Sequence, residues 1–212
     1  MKDKLGTATY LNSKPRAKNI VLRGGIWFSK SKSGVSYPAD GNELCRQMED
    51  KSFWFRHRNN CILETMKNFP PEEPLVDIGG GNGYVSSLLE KNNIRTVLLE
   101  PGIKGIRNAQ KRGLKNLISS TLQNAGFGRA SFNSAGLFDV IEHVQDEKAF
   151  LKNVKQYLRS GSRLYITVPA YPALWSKEDV SAGHYRRYSL KGLEKMLGKL
   201  GFDVEYSTYM FS

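Results

Sequence analysis

Pro74-Leu-Val-Asp-Ile-Gly-Gly-Gly-Asn-Gly-Tyr-Val-Ser86 decides the fold of this 212-residue chain. Leu75, Val76 and Ile78 form a short apolar run that stops at Gly79, Gly80, Gly81 and Gly83. Tyr84, Val85, Leu88 and Leu89 then follow a helical pattern, so the stretch reads as strand, tight loop, helix. Such a loop needs positive φ, and bare backbone admits a ligand where a Cβ would block it. Downstream, strands are expected at Arg95 to Leu99, Asn116 to Ser119, Ser134 to Phe138, Arg163 to Val168 and Phe202 to Met210. Helices are expected at Gly102 to Lys111, Glu147 to Tyr157 and Leu190 to Leu200. This alternation implies an α/β fold, a Rossmann-like doubly wound and mainly parallel sheet that ends after a sixth strand.

Upstream of the loop, Asn42 to Asp50 and Ser52 to Phe69 read as helices, with Ser52 as N-cap and Pro70 and Pro71 as the stop. Residues 1–40 have no sustained periodicity. The expected organisation is a basic, poorly structured arm over 1–40 and a single domain over 41–212 with cap helices at 42–69. Phe53, Trp54 and Phe55 either line a pocket or pack the second helix onto the sheet, with Arg56 and Arg58 then facing water. Thirty-two Lys and Arg oppose twenty Asp and Glu, a formal charge of +12. The basic arm reads as a solvated charge run, or else attracts an acidic substrate, an anionic membrane face or, not favoured, nucleic acid. No run of 18 apolar residues and no apolar signal region occurs, which argues against a membrane span and secretion and makes the cytoplasm the expected location. Cys45 and Cys61 lack metal-ligand spacing and read as free thiols.

The glycine spacing departs from a dinucleotide fingerprint, because Tyr84 stands where the third glycine belongs. No Gly-Lys-Ser/Thr follows, so a phosphate loop is excluded as well. Asp77 would repel a pyrophosphate and suits a cation. Glu100, at the tip of the next strand and 17 residues past Gly83, can accept both hydroxyls of a ribose. Glycine loop and ribose acid together make a nucleoside site.

At these residues the chain resembles the class I S-adenosylmethionine-dependent methyltransferases of the small-molecule type 11/12-like group. The resemblance implies that Asp77, Gly79, Gly80, Gly81, Gly83 and Glu100 hold the methionine portion and the ribose of S-adenosylmethionine. It also implies that Asn124 meets the adenine amino group and that Phe138 offers backbone near the sulfonium. The full fold of that family has a seventh, antiparallel strand between strands 5 and 6. The chain ends at Ser212, directly after the expected sixth strand, so the expectation is a truncated form, unless the early residues supply a substitute strand.

Asp139, Glu142, His143 and His184 fall where chemistry is expected. They are similar to the metal-assisted branches of the family, the ubiquinone-pathway and small-RNA methyltransferases, and that resemblance implies a divalent metal held by all four. Without metal, His143 or His184 serves as general base. Arg186 and Arg187 could hold a carboxylate or phosphate of the acceptor. The expected activity is methyl transfer to oxygen, in preference to nitrogen or carbon, of an acidic small molecule or a lipid or glycan precursor. A nicotinamide-dependent oxidoreductase and a non-catalytic cofactor- or RNA-binding module are the alternatives.

Overall fold

The structure, a computed structural model, describes residues 17–31 and 46–211. Its centre is β3 (Leu75–Ile78), whose four residues are all buried. Successive side chains of a strand point to opposite faces. Leu75 accordingly joins Ile62, Leu63 and Met66 of α1 (Phe53–Asn68) and Val85 and Leu89 of α2 (Tyr84–Lys91). Val76 and Ile78 face the other layer, with Leu137, Leu151 and Val154. Asp77 belongs by register to the α2 side and is fully buried there, in a central strand where a carboxylate is costly.

β3 pairs in parallel with β4 (Thr96–Leu99) on one side and β6 (Phe132–Phe138) on the other. α3 (Ile103–Lys111) leads from β4 to β5 (Leu117–Ser119), and α4 (Glu147–Tyr157) from β6 to β7 (Leu158–Thr167). β1 (Ile20–Arg23) and β2 (Ile26–Ser29) complete a seven-stranded sheet in the order β1-β2-β5-β4-β3-β6-β7. Only the β1–β2 pair is antiparallel. Changes of direction in strand order around β3 create a crevice at the carboxyl ends of β3 and β6, the usual ligand position in such sheets.

Two expectations change. Residues 1–40 had been assigned no firm structure, yet a hairpin stands there, turned by Gly24 and Gly25 at φ 55° and 80°. Two consecutive left-handed residues suit a two-residue hairpin turn, and burial of Ile20, Ile26 and Trp27 anchors it to the sheet. The hairpin brings the sheet to seven strands, so the early residues supply the substitute, at the edge opposite to β7. Conversely, Phe202 to Met210 forms no strand. It follows α5 (Lys177–Ala182) and α6 (Leu190–Lys199) and runs without ladder bonds near β7, where Arg163 Nε donates to Glu205 Oε2 at 2.8 Å. The expected helix at 42–50 is described only at 46–49. Most of the basic arm, and Cys45, lie outside the described residues; Cys61 is a free thiol.

Candidate active site

The turn after β3 is built as its glycines require. Gly79, Gly81 and Gly83 have φ of 74°, 53° and 71°, a region that side chains rarely adopt. Gly80 is needed for space instead, since a Cβ there would lie 2.1 Å from Leu98 Cδ1. Gly83 lies against Ala109 and Leu114 and supports the turn from behind, outside the cavity lining. The cavity, about 1990 Å³, runs from Gly79, Gly80 and Gly81 past Asp77, Glu100 and Phe138 to Asp139, Glu142, His143 and His184, and on along β7.

Asp77 Oδ2 accepts from Ser86 Oγ at 2.6 Å, whereas Oδ1 is buried without a partner. Burial pushes its carboxyl up to about 6, against the pull of Ser86 and Arg58. Glu100 reaches back to the turn, accepting from Gly81 N at 3.0 Å and Gly102 N at 2.6 Å. Burial pushes it up to about 7, opposed by those two N–H groups and assisted by the Asp77 charge. The two carboxyls therefore pass from neutral to charged close to neutral pH, and a cationic ligand would favour the charged forms.

Asp139 follows β6 at φ 55°. Its carboxylate is ion-paired with Arg58 of α1 and accepts from Thr167 Oγ1 at 2.7 Å. Arg58 therefore does not face water. It is buried, lies over the rings of Trp54 and Phe55, and lines the cavity. The signal available in the sequence was its place on the helix, one turn beyond Trp54 and beside the buried Asn59.

Past Asp139, the turn Ile141–His143 is stitched to the segment after β7 by the Tyr185 N–H, which donates to Glu142 O at 2.8 Å. That bond brings His143 against His184, with ring centroids 4.7 Å apart and edge to face. Glu142, His143 and His184 offer ligand atoms within 4.8 Å of one another. Asp139, expected as a fourth ligand, is not in this group because Arg58 and Thr167 hold it. Glu142 is fully buried and neither carboxyl oxygen has a hydrogen-bond partner. Burial, then repulsion from Asp139, raises its carboxyl well above the usual range. Burial and the neighbouring His184 lower His143, while a hydrogen bond to the Gly183 backbone opposes them.

His184 Nδ1 lies 2.8 Å from Asp179 Oδ1, a contact that fixes the orientation of the ring. Burial would raise Asp179, but hydrogen bonds from His184, Ser176 N–H and Arg187 bring it down to about 2. Arg187 Nε lies 2.9 Å from both oxygens of Asp179. Arg186 is paired with Glu147 and donates to the carbonyls of Val144 and Gln145. Both arginines thus already hold internal partners. Ser120, Thr121, Leu122 and Gln123 line the cavity and Asn124 does not; its carbonyl accepts from Ser29 Oγ at 3.4 Å.

Strand order and the turn after β3 define a Rossmann-like fold, with the glycine turn and Glu100 lining a cavity at the carboxyl ends of its strands. A family model described as a methyltransferase domain matches residues 46–207. A Mycolicibacterium smegmatis protein named probable S-adenosylmethionine-dependent methyltransferase is 22% identical over 177 residues, 82% of this chain and 68% of its own length. The human mitochondrial ubiquinone biosynthesis O-methyltransferase is 26% identical over 127 residues, 50% of this chain and 32% of its own. The crystal structure of a SAM-dependent methyltransferase from Thermotoga maritima superposes with a TM-score of 0.60 at 24% identity, covering 78% of this chain and 81% of that one. The chain belongs to the methyltransferase-domain family and is an S-adenosylmethionine-dependent methyltransferase of class I type. Methyl transfer thereby replaces the nicotinamide and non-catalytic alternatives. No helix among the described residues is long and apolar enough to cross a membrane.

Proposed function

We propose that this methyltransferase acts on a hydroxyl oxygen of a small molecule, with His143 as the proton acceptor. One observation carries the reading: His143, His184 and Glu142 converge at the carboxyl end of β6, beside the glycine turn. Burial keeps His143 neutral, and its hydrogen bond to the Gly183 backbone, if donated by the ring, leaves the second ring nitrogen free to take a proton. Transfer from a sulfonium is an in-line displacement, so the remaining task is to place the acceptor. His184, held by Asp179, forms a second wall of that acceptor space. The acidity of the acceptor has support only from the net charge of +12, because Arg186 and Arg187 are engaged internally.

The residues fit S-adenosylmethionine. Gly79, Gly80 and Gly81 expose main chain, the unpartnered Asp77 Oδ1 suits a cationic methionine portion, and Glu100 suits the ribose. Phe138 would offer backbone near the sulfonium, and Thr121 or Gln123 replaces Asn124 as the polar group at the adenine. Bound there, the cofactor supplies the electrophilic methyl group.

The test is transfer of labelled methyl to fractionated acceptor pools, neutral and acidic. Label is expected in alkali-stable, non-basic products, as O-methyl ethers are, and should disappear with His143→Ala. Label confined to amines would sink the oxygen assignment.

A divalent ion is a second reading, favoured by the two orphaned oxygens of Glu142. Glu142, His143 and His184 offer the mixed O/N donors that Mn or Zn accepts, and a bound ion would acidify the acceptor hydroxyl. Full activity in EDTA would remove this reading and leave the base intact.

Cofactor affinity should depend on pH. Glu100 must be ionised to accept two hydroxyls, yet burial holds its carboxyl at about 7. Binding of S-adenosylhomocysteine is expected to tighten by up to about tenfold per pH unit below 7 and to level off above it. The sign is opposite for the ligand-free fold. A folded value above the unfolded 4.5 stabilises the protein below about 4.5, and this contribution is lost as pH rises towards 7. Titration calorimetry checks the first trend and thermal melts the second; Glu100→Gln should flatten both.

A further inference from the structure

Behind the glycine turn, one guanidinium joins parts of the chain that are far apart in sequence. Arg112, at the end of α3, donates through Nη2 to Glu49 Oε2 at 2.8 Å and through Nη1 to Asp50 Oδ1 at 2.7 Å. Its Nε donates to the main-chain oxygen of Asn82, inside the turn, at 3.1 Å. The Asn82 side chain completes the circuit, donating to Glu49 Oε1 at 3.2 Å and accepting from Asn108 Nδ2 at 3.0 Å. The guanidinium also lies 4.9 Å from the centre of the Tyr84 ring, at the first turn of α2. Glu49 and Asn82 are both buried, and both line the cavity. A buried carboxylate needs a partner, and a planar fork can serve a carboxylate and a carbonyl at once in a way that a lysine cannot.

We propose that Arg112 is a positioning residue that couples docking of segment 46–52 to the shape of the cofactor-binding turn. The inference rests on the reading of Gly79 to Gly83 as the cofactor cradle. The guanidinium does not touch the cofactor. It fixes the carbonyl of Asn82, and with it the orientation of the neighbouring N–H groups, only while Glu49 and Asp50 are seated. Conversely, a filled cradle holds Asn82 in place and keeps the segment down. The two binding free energies are then linked and reciprocal.

Two measurements on the full chain test this. S-adenosylhomocysteine binding is expected to weaken about tenfold in Arg112→Gln, with Arg112→Lys intermediate because charge returns without the fork. Glu49→Gln should weaken binding by a similar factor, and the double variant no further than the worse single one. The second readout is tryptic cleavage after Lys51. Saturating S-adenosylhomocysteine should slow it in the wild-type protein and leave it unchanged in Arg112→Gln. A purely structural role would lower the melting temperature but leave ligand-dependent protection in place. If Arg112→Gln does not fold, Glu49→Gln carries both measurements. The proposal fails if the wild-type protein binds and the variants bind equally well, or if the two substitutions act additively. Absence of binding in the wild-type protein would instead overturn the cradle reading, and this coupling with it.

Discussion

Gly80→Ala is expected to weaken S-adenosylhomocysteine binding by about a hundredfold and to cost about 1–3 kcal/mol of stability. An alanine Cβ would sit 2.1 Å from Leu98 Cδ1 and 2.5 Å from Asp77 Oδ2. Neither neighbour can withdraw, because Leu98 is packed between Ile26, Ile106 and Leu117 and Asp77 is held by Ser86. The turn itself must move outward, into the space that the ligand needs. Calorimetry and denaturant titration read the two effects separately. Gly128→Ala is the control, since nothing lies within 4 Å of a Cβ built there, and its effect should stay within about 0.5 kcal/mol. Tight binding by the Gly80→Ala protein would show that the cofactor does not use this turn.

Glu142→Gln is expected to lower turnover by about 10²–10³ while leaving the protein at least as stable as before. The carboxyl is fully buried, lacks hydrogen-bond partners and faces the like charge of Asp139. Burial favours the neutral acid, and an unpaired neutral acid and an unpaired amide there each cost about 1–3 kcal/mol. Under the proposed role of His143, the acid can ionise when an imidazolium or an ion forms beside it, and the amide cannot. Melting temperature and turnover measured on one preparation decide the matter, and a large fall in both would mean that the carboxylate has a structural partner.

The parts of this site that were legible in the sequence are those whose geometry is local. Strand, glycine turn and helix span residues 75–91, and backbone rules alone dictate their form. Glu100 was legible because it directly follows a parallel strand, β4, whose carboxyl end opens on the crevice. The hairpin carried a signal too, two glycines between Ile20–Arg23 and Ile26–Ser29, but the surrounding lysines and arginines masked it. Phe202 to Met210 has the composition of a strand without a partner in register, and composition does not reveal pairing. Arg58, Arg186 and Arg187 share the same limitation. Whether an arginine awaits a ligand or already holds an acid depends on Asp139, Glu147 and Asp179, which reach it only through the tertiary fold.

The stretch beyond α6 closes the outer wall of the cavity with aromatic side chains. Tyr206 stacks on Phe69, Tyr209 on Tyr171 and Phe211 on Trp54, and the Met210 carbonyl lies 3.2 Å from His57 Nε2. Phe69, Trp54 and His57 come from the opposite extreme of the domain, whereas Gly79 to Glu100 are a short consecutive stretch. Closing so long a loop costs entropy before any contact forms, so under the proposed assignment the half that would hold the methyl donor can assemble early and the half that would meet the acceptor comes last. A nascent chain could thus carry its donor before it can tell one acceptor from another.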